Sequence, residues 1–530
     1  VLETGQSIQK VQKVLIIPAL FALLDVMLSN LLLTFAEEPI YRYRWTGEED
    51  MIGAILLERV VSIKNRKSKA ILAIHTMLRD ALVYGFGLVV PTWRITRGKY
   101  VAKEAVPAGT LQGMLESLGL AQPKPPEYKK ILKSGITNEA VYLENVDPYL
   151  VLADPNTPID RLNAGESIGW LRPDNLSNKL EMERQYGVGY FNAQYLSHLT
   201  GNYGRSCIFA DERNDKSQVI KDSQIVDISR PMDDIEYQIR IIPSEWGLGS
   251  SNSPQRWRFC LTGDTIITAA HPLEYPFDTD FQVICCAPEY DGHSAVPISR
   301  LEINYGTADF VNFSFSANKM YHERSLNGAL IYDPSMIWEQ DMKQPGPGLR
   351  IRLKRRAWGG DVNRAMMQLR TESGTPQLVS DALTAIGLME KFYGASESSQ
   401  GVIRSRGERV SAKEAGDASL GGLRRTDRVV KIASTQALFD LAEKTALMTQ
   451  WNMSEGTFVD LTGRGEQLLR AEYGDEGGQV YVKPEDLAVR TDVEPYDATS
   501  ILTENPQAIT QFLQLAASQP ELMQKLDITR

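Results

Sequence analysis

The sequence predicts an α+β protein, and three observations carry that prediction. Stretches with apolar residues every three or four positions alternate with shorter period-two runs rich in Val, Ile and Trp. The strand-like runs concentrate between residues 218 and 290. The longest helical patterns lie beyond Pro297, where the character of the chain changes. No internal repeat is visible.

The elements follow in order. Residues 1–83 read as mostly helical. "VLIIPALFALLDVMLSNLLLTF", Val14 to Phe35, approaches the roughly 20 residues that cross a bilayer. Asp25 near its centre, with Pro18 and Asn30, makes a buried or interface helix the first reading. A transmembrane span and a targeting remnant are the alternatives. The chain starts at Val1 rather than Met, so a missing or processed N-terminus is expected. Ile71, Ile74, Leu78 and Leu82 mark an amphipathic helix that stops at Gly85 and Gly87. "LVVPTWRIT" reads as a strand, with Pro91 marking an edge or a bulge. Residues 101–136 read as a polar insertion of loops around one short helix. In "AVYLENVDPYLVLADPN", Asp147-Pro148 and Asp154-Pro155 punctuate two strand-like pieces. Residues 174–200 turn helical, and 218–290 return to strands.

Residues 298–328 form a long helical candidate, about 40 Å at 1.5 Å per residue, ending at Asn327-Gly328. "ALIYDPSMIW", the turn "PGPG" and "LRIRLKRRAW" predict a compact β element, with a strand over 349–356. A second long helix covers 375–394, and a Ser/Gly/Arg-rich loop covers 395–410. The longest helix opens at Ser411, whose Glu414 completes a capping box, and runs to about Asn452. Leu423, Val430, Ala437, Leu441 and Met448 form its packing face. Gly416, Gly421 and Gly422 weaken its start and predict a bend there. A polar helix over 503–527 follows the last strand-like piece.

Length and composition bound the function. At 530 residues the chain is too long for one ordinary core. Apolar residues make up 43% and charged residues 23%, the balance of a folded soluble protein. A net charge of −10 argues against a surface that grips nucleic acid throughout, but leaves room for a local basic strip. The four cysteines, Cys207, Cys260, Cys285 and Cys286, include no CxxC pair and predict no disulfide framework. Cys285 and Cys286 read as buried strand thiols.

Catalytic signatures are missing. There is no phosphate-cradling GxxxxGK[ST] loop, no HExxH and no GxSxG. The five histidines are scattered, and His75 and His322 read as structural histidines on helices. Asp278 and Asp280 could hold a cation, but two carboxylates two apart more simply form a solvated strand edge. No catalytic residue, metal or cofactor is therefore assigned.

Two basic runs remain. Arg404, Arg406, Arg409, Lys413, Arg424, Arg425, Arg428 and Lys431 lie among four acids, a local charge of +4. Arg424, Arg428 and Lys431 share one helix face at i, i+4, i+7. Arg350, Arg352, Lys354, Arg355 and Arg356 form the second run. A solvated face is the plain reading of either. Context raises the functional one: the first run follows a loop onto a long helix, and the second sits on a small β element between two long helices.

That order of elements resembles the portal protein, the head-to-tail connector, of tailed double-stranded-DNA bacteriophages, particularly the short-tailed group. "ALVYGFGLVVPTWR" resembles the portal wing, and "LENVDPYLVLADPN" its Asp-Pro strand. "DGHSAVPISRLEINYGTADFVNFSFSANKMYHERSLNGALIYDPSMI" is similar to the stem helix entering the clip, and "PGPGLRIRLKR" to the clip turn and strand. "GERVSAKEAGD" stands where portals start the channel helix, with Lys413 in place of a small or polar residue. The insertion at 101–136 has no clear counterpart.

The resemblance implies a wing over 1–296, stem helices over 297–327 and 375–394, and a clip over 328–374. A tunnel loop and channel helix over 395–452 and a helical C-terminal wing and crown region over 453–530 complete it. It implies a homododecameric ring at one capsid vertex, assembled in the host cytoplasm and carried in the virion, without a membrane. The expected partners are double-stranded DNA bound without sequence preference, the terminase motor, tail adaptors, and major capsid and scaffolding proteins. Arg404, Arg406, Arg409, Arg424, Arg428 and Lys431 would contact DNA in the channel. Arg350, Arg352, Lys354, Arg355 and Arg356 would dock the motor or adaptor, or a neighbouring subunit. The alternatives are another ring-forming head–tail adaptor, a membrane-associated protein anchored by residues 14–35, and an enzyme without a recognised motif.

Overall fold

The computed structural model describes residues 15–35, 39–105, 128–198, 231–263, 265–291, 293, 296–326, 330–342, 350–368, 375–393, 428–461, 466–473 and 479–495. The chain is α+β and divides into two units, residues 28–299 with 424–530 and residues 1–27 with 300–423.

Helix α1 (Ala19–Phe35) begins just after Pro18 and buries Leu23, Leu24, Met27, Leu28, Leu31 and Phe35. Among the described residues no helix is long and apolar enough to cross a membrane. β1 (Tyr41–Trp45) interrupts the stretch expected to be helical. Tyr41 and Tyr43 point inward, and the strand pairs antiparallel with Thr491–Pro495, about 450 residues later. No local pattern signals such a partner. Helices α2 (Met51–Ser68) and α3 (Ala70–Tyr84) meet at Lys69, which adopts φ +57° and donates its N–H to the end of α2.

α3 follows its predicted stripe except at Ile71, which is only half-buried. Ile74, Leu78 and Leu82 are buried with Met77 and three alanines, each large side chain contributing roughly 1.5–3 kcal/mol. Gly85 ends the helix at φ +88°, a conformation open to glycine without strain. Gly87 lets the next strand pass over α3, since a Cβ there would overlap the Met77 carbonyl oxygen.

That strand, β2 (Gly87–Ala105), forms a long antiparallel ribbon with β3 (Tyr128–Val146). Residues 101–105 and 128–136 are therefore strand rather than loop. Polar residues at positions on both faces hid the period-two signal there. Beyond β3, Asp147 caps a helical turn at Pro148–Leu150, and β4 (Val151–Ala153) follows. β5 (Ser167–Asn175), helix α4 (Leu176–Tyr186), β6 (Pro231–Ile241), β7 (Gln255–Thr262) and β8 (Ile266–Pro272) complete an antiparallel five-stranded sheet of order β4-β5-β6-β7-β8. β9 (Ile284–Cys286) pairs with β2 only over Gly87–Val89. Pro91 lies just past that pairing, and its carbonyl on the same side accepts from Gln282 Nε2 at 2.7 Å. The proline thus occupies the edge its missing N–H requires.

Phe86, Leu88, Val90, Ile168, Trp170 and Phe281 form the core between the ribbon base and the sheet. Cys285 and Cys286 lie in β9 as expected, and burial pushes the Cys286 thiol up to about 12.

In the smaller unit, α5 (Arg300–Leu326) is followed by β10 (Leu330–Tyr332), which pairs with β11 (Met366–Gln368), and then by α6 (Thr375–Tyr393). The β10–β11 pairing brings the end of α5 and the start of α6 together. At the other end, the Arg300 guanidinium lies 5.9 Å from the Tyr393 ring and 3.5 Å from its carbonyl oxygen. The helices therefore pack antiparallel. In the larger unit, helix α7 covers 428–452, with a π-helical turn at Ser434–Leu438. β12 (Thr457–Asp460) and β13 (Gln479–Val482) form a hairpin-like pair, and β14 (Thr491–Pro495) returns to β1.

Candidate functional site

The second basic run lies in the module between α5 and α6. Residues 349–356 were expected as a strand. Instead the described residues 350–356 contribute one bridge, Ile337 to Leu353, and a helical turn at Arg355–Ala357. The reason is Asp341. Its carboxylate accepts from the Arg352 backbone N–H at 2.9 Å, occupying a donor that a strand would have paired. The same carboxylate takes the Arg352 guanidinium in a two-point fork, Nε at 3.0 Å and Nη2 at 2.9 Å. These hydrogen bonds hold the Asp341 carboxyl below its ordinary range.

Trp338 organises the rest. The Arg352 guanidinium lies 5.7 Å and the Lys354 ammonium 5.6 Å from its ring centre. Lys354 Nζ also donates to the Pro334 carbonyl at 2.6 Å. Arg352 and Lys354 are thus engaged inside the module. Arg350, Arg355 and Arg356 stay exposed, beside a Trp358 that is 71% exposed. These three and Trp358 are among the exposed contact groups of the module's described residues.

Of the channel set, Arg404, Arg406, Arg409 and Arg424 lie outside the described residues, as do the glycine pair and Leu423. Arg428 and Lys431 stand exposed on the first described turn of α7. Arg428 Nη2 donates to Glu289 Oε2 at 2.6 Å, so this cation already has a carboxylate partner. The predicted packing face holds where it is described: Val430, Ala437, Leu441 and Met448 are all buried. The π-helical turn carries Gln436, whose Oε1 accepts from the Ala287 N–H at 2.9 Å. One extra residue per turn aims that amide at the end of β9.

A third constellation was missed. On one face of the five-stranded sheet, the register places Arg172 beside Asp234, and Asp234 beside Thr262. Glu236 lies opposite Cys260 on the same face. Lys179 reaches in from α4. Its Nζ donates to Asp234 Oδ2 at 2.6 Å, and Thr262 Oγ1 donates to Asp234 Oδ1 at 2.8 Å. Arg258 Nη2 donates to Glu236 Oε2 at 2.8 Å. Arg172 bridges the group, 3.4 Å from Asp234 and 3.6 Å from Glu236.

Asp234 and Glu236 are buried completely or nearly so. Burial alone would raise the Asp234 carboxyl, but Lys179 and Arg172 more than offset it and hold it low. Burial pushes the Cys260 thiol up, which keeps it protonated and unreactive. Each of these two carboxylates has a cation, so the cluster ties β5, β6, β7 and α4 together. "DDIEYQI" reads as an ordinary solvated strand. The available signal was the match of Asp234 and Glu236 to Arg172 and Arg258 elsewhere in the chain.

Asp280, one of the two acids weighed as a cation site, pairs with Lys444 Nζ at 2.9 Å. Among the described residues no group of three or more metal-ligating side chains comes together. Comparison with protein-family models gives no match, and comparison with curated proteins gives none either.

Proposed function

We propose that this chain is a subunit of a portal ring, the channel through which a tailed bacteriophage packages and releases its DNA. The observation that carries the reading is the α5–module–α6 hairpin. Two antiparallel helices of 27 and 19 residues bracket a small β module whose surface offers Arg350, Arg355, Arg356 and Trp358. The helices also keep large apolar residues in water. Ile303, Phe313, Leu383 and Phe392 are each between 59% and 69% exposed. Such exposure on helices already packed against each other suits a second helix pair from a neighbouring copy.

In this reading the module docks the motor and the tail adaptor. Arg428 and Lys431, repeated around the axis, face DNA in a bore that is otherwise acidic, a balance that favours sliding over tight binding. The chain carries out no catalysis itself, and it works at the capsid vertex of the virion.

Native mass spectrometry of the detergent-free chain tests this. Twelve copies of the 59.3 kDa chain amount to about 710 kDa, as a closed cyclic assembly requires. A species at that mass, or at a neighbouring ring number, which Phe313→Glu disperses, is the expected result. A chain that stays monomeric or dimeric with and without its co-expressed capsid proteins overturns the reading.

A further inference from the structure

The β2–β3 ribbon is longer than its packing explains. Its base, residues 87–96 with 138–146, is held by α2, α3 and β9, with Trp93 packed near Val141 and Phe277. At Thr96/Arg97 the register shifts, and Thr137 is the extra residue, its hydroxyl donating to the Thr96 carbonyl at 2.9 Å. A bulge of this kind strengthens the twist and re-aims the strands beyond it. Nine registered pairs continue past it, from Arg97–Ile136 to Ala105–Tyr128, a length of roughly 30 Å.

The charge of that distal half stands apart from the chain. Residues 97–105 and 128–136 hold six Lys/Arg against a single acid, Glu104, in a protein of net charge −10. Arg97, Lys99, Lys130 and Lys133 are all exposed. Among the described residues Arg97, Lys99 and Lys130 have no carboxylate partner. Between these cations, Val101 and Leu132 face each other across the strands at 66% and 69% exposure. Folding gains nothing from this arrangement, whereas a polyanion would neutralise it.

We propose that the distal ribbon binds duplex nucleic acid, entering the major groove and contacting phosphates on both sides. Two features favour a duplex. A two-stranded ribbon fits a groove about 12 Å wide. The cations occupy both faces: Lys99 lies on the Val101 face and Lys133, in register with Tyr100, on the other. A groove meets both faces at once, whereas a lipid surface meets one. The contacts are to phosphates in the main, so binding is independent of sequence. The proposal does not rest on ring assembly, since a single chain carries the whole surface.

The test is fluorescence anisotropy of the full-length chain with a labelled mixed-sequence 30-base-pair duplex over a salt titration. Lys99→Gln with Lys130→Gln removes two exposed cations, and an unchanged melting temperature verifies the fold. The expected result is a slope of log K against log salt that falls by about 2, with affinity at least about tenfold weaker near 0.1 M salt. An unchanged slope overturns the proposal, whatever the affinity of the parent chain. So does a parent chain that leaves the duplex free at low salt. Binding to phosphatidylserine vesicles that the double variant abolishes, with duplex binding unaltered, overturns it in favour of a membrane surface.

Discussion

Asp234→Ala removes the centre of the buried charge network in the five-stranded sheet. The carboxylate is fully buried and accepts from Lys179 Nζ at 2.6 Å, Thr262 Oγ1 at 2.8 Å and Arg172 Nε at 3.4 Å. Breaking a buried pair costs about 3–5 kcal/mol, because the remaining charge has lost its compensation. Two contacts place this case toward the low end. Lys179 keeps Asp174 at 3.6 Å, and the Thr262 hydroxyl keeps Thr268 at 2.9 Å. The expected loss is therefore about 3 kcal/mol, or roughly 6 °C at about 2 °C per kcal/mol for a unit of this size.

Thermal melts at pH 7 in low and high salt read it. The loss should be the same in both, since buried pairs are weakly screened. Adding Lys179→Met to Asp234→Ala should restore about 2 kcal/mol by removing the stranded ammonium. The sign with pH follows from the depressed Asp234 carboxyl. Its stabilisation is present above the unfolded carboxylate range near 4 and disappears as pH falls through the lower folded value. The gap between parent and variant should accordingly close in acid. A loss under about 1 kcal/mol, or one that disappears in high salt, would show that water reaches the carboxylate and would refute the reasoning.

Three further outcomes are expected. Gly87→Ala should destabilise by about 2 kcal/mol or more, because its Cβ would overlap the Met77 carbonyl, while Gly306→Ala in α5, with nothing within 4 Å, should gain up to about 1 kcal/mol; paired melts check both. Asp440 is pushed up to about 6 by burial, with Glu443 adding to the effect, so at neutral pH the folded state carries a carboxylate it disfavours. A folded value above the unfolded one costs stability as pH rises from about 4 to about 6, so Asp440→Asn should stabilise by about 1 kcal/mol at pH 7 after discounting for partial exposure, and by nothing at pH 4. Glu139→Ala should cost about 3 kcal/mol in a urea titration, since it strands Lys64 and frees the Ser454 and Glu455 N–H groups that the carboxylate accepts at 3.1 Å.

Sequence periodicity determined the helices and their buried faces. Ile74, Leu78 and Leu82 in α3, and Val430, Ala437, Leu441 and Met448 in α7, are inside because a 3.6-residue repeat leaves one face apolar wherever the helix packs. Gly85, Asp147-Pro148 and Pro91 mark real ends and edges for equally local reasons, a positive φ or a missing N–H. Tertiary structure decided the rest. β1 exists because Thr491–Pro495 comes to lie beside it, and the ribbon persists through polar residues because its partner strand, rather than a core, satisfies its backbone. Arg350–Arg356 gave up a strand because the Asp341 carboxylate took the Arg352 N–H. Asp234 and Glu236 alternate along β6 as solvated acids would. Only the approach of Lys179, Arg172 and Arg258 from other elements makes them a buried network, because a charge is stable in the interior only when its partner arrives with it.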